Sequence, residues 1–219
     1  MTFPRDSKVE SWQDDMGRIA ADVVGLYFVR NVHRAVNEIV ATNDELPPSI
    51  FLSYLNMTYV NTQTIAVRRH LDPDDRAVSL AGVMTEIAAE PECLTRERFL
   101  ATHVFGFQPR TEDDWYRNFA GTTDDHVDPK IVTEDLDTLR AATRSHKRWA
   151  NMRVAHTDRG EIEPEDRATF AELDRAIDVI GLLFRKYDLL LRGAESPVIL
   201  DWDPKPDLVA LFSLPWVRQ

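Results

Sequence analysis

The chain contains one cysteine, Cys93, in 219 residues. A lone thiol forms no internal disulfide and cannot build a CxxC zinc or redox motif, so disulfide-stapled and cysteine-zinc architectures are excluded. Glycine is scarce at 8 residues, and proline numbers 12. Folds dense in tight turns need more residues that tolerate positive φ, so the expectation is a mainly helical protein. No apolar run approaches the roughly 20 residues that span a bilayer. The opening MTFPRDSKVESWQDD also lacks the basic-then-apolar order of a signal peptide, so a cytoplasmic location without a membrane partner is expected. Basic charge is in deficit, with 26 Lys and Arg against 37 Asp and Glu, a net charge of -11. The whole-protein field therefore repels phosphate backbones, and nucleic-acid contact has to come from a local patch. The phosphate-cradling patterns GxxxxGK[ST] and GxGxxG and the GxSxG elbow are absent, as are the Glu-x-x-His pairs of di-iron bundles. No cofactor or metal is expected.

What is present is 43% apolar and 29% charged, the make-up of a soluble globular chain. No repeat, low-complexity stretch or interdomain linker divides it, so residues 1–219 read as one domain. From Ser11 to about Thr42, Ile19, Val23, Leu26, Val32, Val36, Ile39 and Val40 recur at helical spacing. Pro47 and Pro48 end that helix. A second helix is expected from Ser49 to Leu71; its Phe, Tyr, Thr and Val content favours strand locally, but its uninterrupted length favours helix. Residues 72–76 form a turn, and Ser79 caps a third helix to about Ala89. Short connecting helices follow, one capped by Thr95 and running to Val104 before Gly106, another from Thr111 to Ala120 before Gly121. The segment from Thr122 to Asp128 reads as a polar loop. Asp128 and Pro129 open a helix that turns Ile131, Val132, Leu136, Leu139, Ala142 and Trp149 inward and ends near Thr157. Glu163-Pro164 opens the last long helix, with Phe170, Leu173, Ile177, Ile180, Phe184, Tyr187 and Leu191 inward, up to Gly193. The short link between these two helices predicts an antiparallel hairpin. The bundle core then covers about residues 15–192, and the proline-punctuated tail 194–219 drapes over the bundle or over a partner subunit.

The sharpest local anomaly lies between Thr138 and Thr157, which holds Arg140, Arg144, Lys147, Arg148 and Arg153 and no acid. Arg140, Arg144 and Lys147 or Arg148 are one helical turn apart, forming a basic stripe able to hold phosphate. The alternative is that these side chains pair with acids, notably those of Glu161 to Asp174 in the next helix.

At this point the residues reach a family. Asn151-Met152-Arg153-Val154-Ala155-His156-Thr157-Asp158, ending one long helix and followed by another, resembles the signature hairpin of the HEPN superfamily, in which an Arg, often followed by Asn, precedes a His by a few residues. Ile65-Ala66-Val67-Arg68-Arg69-His70-Leu71-Asp72 with Ser79-Leu80 is similar to the abortive-infection branch of that superfamily. The resemblance implies an all-α, antiparallel four- to five-helix bundle, commonly a homodimer. It also implies a metal-independent endoribonuclease or RNA-binding component of toxin and phage-defence systems, with RNA, a cognate antitoxin or another protein as partner. His156, Arg153 and Asn151 are then the candidate catalytic residues, with Arg140, Arg144, Lys147 and Arg148 on RNA phosphate. The chemistry suits the residue types, since His moves a proton at a ribose hydroxyl near neutral pH while Arg grips the phosphoryl group.

The transfer has one gap. Ala150 stands directly before Asn151, where the superfamily usually has Arg. Arg153, three residues before His156, shares its helical face, whereas Arg148 lies roughly 12 Å away along a helix. Without the usual Arg, the alternative is a non-catalytic interaction module of the same fold, in which His156 merely caps a helix end. His70 has the same capping alternative. Asp124, Asp125, His126 and Asp128 have metal-ligand chemistry, although a solvated acidic loop is the commoner outcome.

Overall fold

The computed structural model describes residues 6–44, 49–72, 74, 76–102, 116–121, 125–149, 169–193 and 202–214. The described part is all-helical, with an isolated bridge between Thr95 and His126 as its only β pairing. Helix α1 spans Asp6–Ala41, α2 Ile50–Arg69 and α3 Leu80–Ala89; a 3-10 turn at Pro91–Cys93 leads to α4, Arg96–Thr102. A short helix α5 covers 116–120, followed by α6 at Pro129–Trp149, α7 at Phe170–Arg192 and α8 at Lys205–Phe212.

α1 starts five residues before the expected Ser11, and the added turn buries Val9. Its inward seam is Val9, Trp12, Met16, Ile19, Val23, Leu26 and Arg30, steps of three and four that keep one face toward the core. Beyond Arg30 the pattern loosens, and Val32, Val36, Ile39 and Val40 are only half-buried. α2 begins as expected, with Ser49 accepting from the Phe51 amide. Its residues are helical despite their strand-favouring composition, because a long uninterrupted segment between two packed neighbours gains more from tertiary burial than local propensity takes away. Ser79 caps α3 by accepting from the Gly82 amide.

Of the expected polar loop from Thr122 to Asp128, residues 125–128 are described and non-helical, and they are tied to the bundle: the Arg96 amide donates to Asp125 O, the Val127 amide to Leu94 O, and Val127 is fully buried. The Asp128 amide donates to Phe119 O at 2.8 Å, and the Asp128 carboxylate then accepts from the Lys130 amide to start α6. Gly121 supplies the positive φ, +56°, that this reversal needs. The expected end of α4 at Val104, the Gly106 stop and the Thr111 start lie outside the described residues.

α6 buries Val132, Leu136 and Leu139 as expected; Ile131 and Ala142 are half-buried, and Thr143 and His146 join the core instead. α7 does not start at Glu163-Pro164. Thr169 is extended (φ -95°, ψ 161°) and accepts from the Glu172 amide while the Glu172 carboxylate accepts from the Thr169 amide, so a reciprocal capping box fixes the start at Phe170. Phe170 lies at the helix mouth and is about half-exposed rather than inward. The rest of the expected stripe is buried, and Gly193 closes the helix in the left-handed conformation.

α6 and α7 pack antiparallel, as expected, while the link expected to be short lies outside the described residues. Asp135 at the beginning of α6 accepts from Lys186 (2.6 Å) and Tyr187 (2.8 Å) near the end of α7. α7 is the central helix, packed against α1, α2 and α6 and touched by α3 and α4. The tail is not irregular throughout: α8 packs on α1, where Trp202 stacks on Phe28 at 5.2 Å, Asn31 donates to Trp202 O and Lys205 pairs with Glu38.

The α1–α7 contact is tight at one point. A Cβ built on Gly181 would meet Tyr27 Oη at 2.2 Å and its ring carbons at 2.7 and 2.8 Å. Tyr27 is buried with Arg30 stacked over it at 4.3 Å, so the ring has nowhere to move. Gly25, by contrast, faces open space in the middle of α1. Gly181→Ala is therefore expected to destabilise the protein by about 2 kcal/mol or more through overpacking. Gly25→Ala should stabilise it by about 0.5–1 kcal/mol through helix propensity. Urea unfolding followed by circular dichroism compares the two.

Candidate functional site

The residues singled out by sequence fall in three places. Asn151, Arg153 and His156, with the expected helix end at Thr157, lie outside the described residues. For Lys147 and Arg148 the α6 backbone is described and the side chains are not. Arg140 and Arg144 are described in full, both exposed on α6. They line a cleft of about 700 Å³ between α6, the start of α3 and α1, which Arg18, Arg76, Asp15 and Asp72 also line.

Of the acids expected to mask this stripe, Glu161, Glu163, Glu165 and Asp166 lie outside the described residues, and the two that are described are bound by other groups. Glu172 closes the α7 capping box, and Asp174 pairs with Arg34 of α1 at 2.7 Å. Arg140 pairs within its own helix with Asp137 at 3.3 Å, both side chains well exposed, a contact worth only a few tenths of a kcal/mol. Arg144 has no ion-pair partner among the described residues. The amides at the α3 N-terminus are already used: Gly82 donates to Ser79 Oγ and Ala81 to His70 O. Anion affinity in the cleft thus rests on guanidinium groups, opposed by Asp15, Asp72, Asp74 and Glu86 in the same lining.

The second stretch that carries the family resemblance forms a structural corner. His70 ends α2 through its backbone, Ser79 Oγ donates to Asp72 O at 2.9 Å, and the Ala81 amide returns to His70 O at 3.0 Å. The His70 ring is buried, and its Nε2 has no hydrogen-bond partner among the described residues. Burial pushes its pKa down to about 4; Asp22 pulls the other way and Arg69 adds to the lowering. Asp128 of the candidate metal set is spent on the α6 cap, the ring Nδ1 of His126 lies 2.8 Å from Val127 O, and Asp124 lies outside the described residues. Among the described residues no group of three His, Cys, Asp or Glu side chains is placed to hold a metal ion.

Two arrangements were not foreseen from sequence. At the junction of α1, α2 and α7, the His33 ring lies parallel on Tyr59 at 3.7 Å, with Phe170 at 5.6 Å, and its Nε2 is 2.8 Å from Asn56 Oδ1 and 3.0 Å from Asn37 Nδ2. The Tyr59 hydroxyl donates to Asp174, which also holds Arg34. Burial lowers the His33 pKa against the pull of Asn56 and Asp174, and burial chiefly raises that of Tyr59, so both rings stay uncharged near neutral pH. His146, in the middle of the basic stretch, is fully buried, neither ring nitrogen is in hydrogen-bond geometry with a described residue, and burial lowers its pKa against the opposing pull of Glu172. The signal for His33 was present as Asn37 one turn on, but Asn56, Tyr59 and Asp174 arrive from other helices.

No family model, no curated protein and no solved structure matches the chain.

His70 gives the site region a pH signature. The folded state keeps it neutral down to about pH 4, whereas the unfolded chain takes up a proton near pH 6.5. Between those values the unfolded state binds more protons, so stability is lost as pH falls through this window. His70 alone is expected to cost about 2 kcal/mol between pH 7 and pH 5. His33 and His146 act in the same direction. Urea midpoints at the two pH values should show a smaller drop for His70→Leu than for wild type; equal drops would mean that His70 titrates normally in the fold.

Proposed function

We propose that the protein is a HEPN-like helical bundle that binds RNA through the α6 stripe and cleaves it without a metal ion, as a toxin or phage-defence component. The observation that carries the reading is the pair Arg140 and Arg144, exposed one turn apart on α6 while Glu172 and Asp174 are engaged elsewhere. Arginines so placed grip consecutive phosphates as planar forks. In this reading Lys147 and Arg148 extend the stripe, Arg153 holds the scissile phosphoryl group, Asn151 orients it, and His156 moves the proton at the ribose hydroxyl. No metal is called on, because His and Arg supply the proton transfer and the charge neutralisation.

A second reading is favoured by Ala150, which stands where the superfamily usually has Arg. The same bundle then acts as a non-catalytic interaction module, and the mixed charge of the α6 cleft serves a protein partner.

Incubation with mixed-sequence RNA in EDTA separates the two. Wild type is expected to cleave, His156→Ala to lose cleavage by about 100-fold or more, and Arg153→Ala to lose it comparably. Binding adds an independent arm: Arg140→Ala with Arg144→Ala should lower the salt slope of single-stranded RNA affinity by about 1.4. Absence of wild-type cleavage with several RNAs sinks the ribonuclease reading, and a salt slope unchanged by the double variant removes the stripe from the interface.

A further inference from the structure

The cleft between α1, α3 and α6 holds more than the arginines that RNA phosphate would use. Its volume of about 700 Å³ falls within the roughly 300–1,000 Å³ of sites that enclose small organic ligands. Its floor is apolar: Leu71, Ala81 and Val83 are buried there and Val78 is half-buried. Its walls bear opposite charges. Arg140 and Arg144 come from α6, whereas Asp15 comes from α1 and Glu86 from α3. A surface that only gripped phosphate would gain nothing from carboxylates, since each of them weakens anion binding. Carboxylates in the same cleft call for a ligand that carries hydrogen-bond donors as well as negative charge.

The carboxylates of the lining are not equivalent. Glu86 accepts from Trp12 Nε1 at 2.9 Å and pairs with Lys8 at 3.0 Å. Asp74 is held by Arg76 at 2.7 Å, and Asp72 Oδ1 accepts from the Asp74 amide at 3.1 Å. Of the four, only the Asp15 side chain has no hydrogen bond among the described residues: its ion-pair partner, Arg18, is 3.7 Å away, beyond hydrogen-bond distance. Yet the Asp15 side chain is only 27% exposed. Burial raises its pKa, Arg18 pulls it down, and Glu86 and Asp14 push it up. The ionised form therefore lacks solvation that donors on a ligand would replace.

We propose that this cleft is a guanine-nucleotide site, in which the Asp15 carboxylate reads the base while Arg140 and Arg144 hold phosphate. Donor count selects the base. On its Watson–Crick edge guanine presents two adjacent donors, N1–H and the N2 amino group, which match the two oxygens of one carboxylate. Adenine and cytosine present one amino donor beside an acceptor nitrogen that a carboxylate repels, and uracil presents one N3–H between two carbonyls. The Arg18 guanidinium, exposed next to Asp15, is free to lie against the base plane, as arginines do on unstacked bases. Leu71, Val78, Ala81 and Val83 supply the apolar surface that a flat ring needs. The inference rests on the α6 stripe holding phosphate, as in the proposed function, and adds the base that the site selects. A guanosine within an RNA strand and a free guanine nucleotide offer the same chemistry.

Calorimetric titration at about 50 mM salt with 2′-O-methyl trinucleotides tests it, because these lack the hydroxyl that cleavage uses and stay intact. U-G-U is expected to bind about tenfold or more tightly than U-A-U, with U-I-U, whose inosine lacks the amino group, between them. Asp15→Asn is isosteric and turns one acceptor into a donor, so the ratio of the two affinities should fall to about one. Arg144→Ala should weaken both trinucleotides alike and leave the ratio unchanged, as a phosphate contact does. Urea midpoints at the wild-type value show that both variants are folded. GTP identifies the source: a trinucleotide that binds more tightly than GTP supports a guanosine of RNA, and GTP binding more tightly supports the free nucleotide, either of which upholds the guanine site. Absence of binding, equal affinity for U-G-U and U-A-U, or a preference that survives Asp15→Asn overturns the proposal. Its failure is separable from that of the ribonuclease reading: a preference abolished by Asp15→Asn in a protein that cleaves no RNA upholds the guanine site, whereas cleavage without that preference overturns the site alone.

Discussion

The burial of α7 is the constraint on which the rest of this structure depends. Twelve of its residues, from Leu173 to Leu191, are inside, and a single helix can hide that much surface only when other helices surround it. α1 and α6 take two sides and α2 a third. The close approach at Gly181 sets the spacing to α1, because Tyr27 occupies the space that any side chain there would need. Asp135 sets the spacing to α6, binding Lys186 and Tyr187 together near the far end of the hairpin. With α7 fixed on those sides, the faces that remain outward on α6 and α2 are determined by geometry rather than by preference of their own sequences.

That logic explains why polar groups appear where an apolar pattern would be expected. Arg30 lies inside the α1 seam with its guanidinium stacked on Tyr27 and bonded to Asp178 at 2.5 Å, on the outer flank of α7. One turn on, Arg34 reaches Asp174 at 2.7 Å. The α1–α7 contact is thus apolar at one end and ionic at the other. The ionic end fixes register more sharply than apolar packing does, since breaking it strands a nearly buried Arg30. It also engages Asp174 on the α1 side of α7, so among the described residues Arg140 and Arg144 reach solvent without a carboxylate from α7.

The helices were legible because their ends carry chemistry that acts locally. Ser49, Ser79, Thr95 and Asp128 each accept from an amide of the turn they open, and their side chains do so whatever the tertiary context. The start of α7 was misplaced because two local signals competed. Proline at Glu163-Pro164 resembles an N-terminus, but the capping box of Thr169 and Glu172 satisfies two amides at once. The buried histidines were not legible. His70 looked like a helix cap and His146 like part of a basic stretch, and the sequence held no sign that neighbouring helices would close over both. The His33 cluster was hidden for a related reason: three helices contribute to it, and one chain read linearly shows only one of them at a time. The residues that carry the family resemblance divide the same way. Arg68 to Asp72 with Ser79 now have an architectural explanation, a corner between α2 and α3, that owes nothing to catalysis.

α2 is where local and tertiary signals diverge most. Its composition invited a strand reading, and its burial pattern contradicts the ordinary helix reading, since Gln63 and Thr64 face inward while Ile50 and Met57 face water. Both oddities have one source. An inward face built from Tyr59, Gln63 and Thr64 packs against the polar end of the α1–α7 contact, where Tyr59 bonds Asp174 and Gln63 caps Leu26 O, so apolar side chains there would strand those groups. The apolar residues are left for the outer face. A monomer gains nothing from them, because exposed Ile and Met lower solubility without adding to the core. Their regular spacing on an uncharged helix is, like the acid-free stretch of α6, a departure from the composition of the rest of the chain that internal packing does not require.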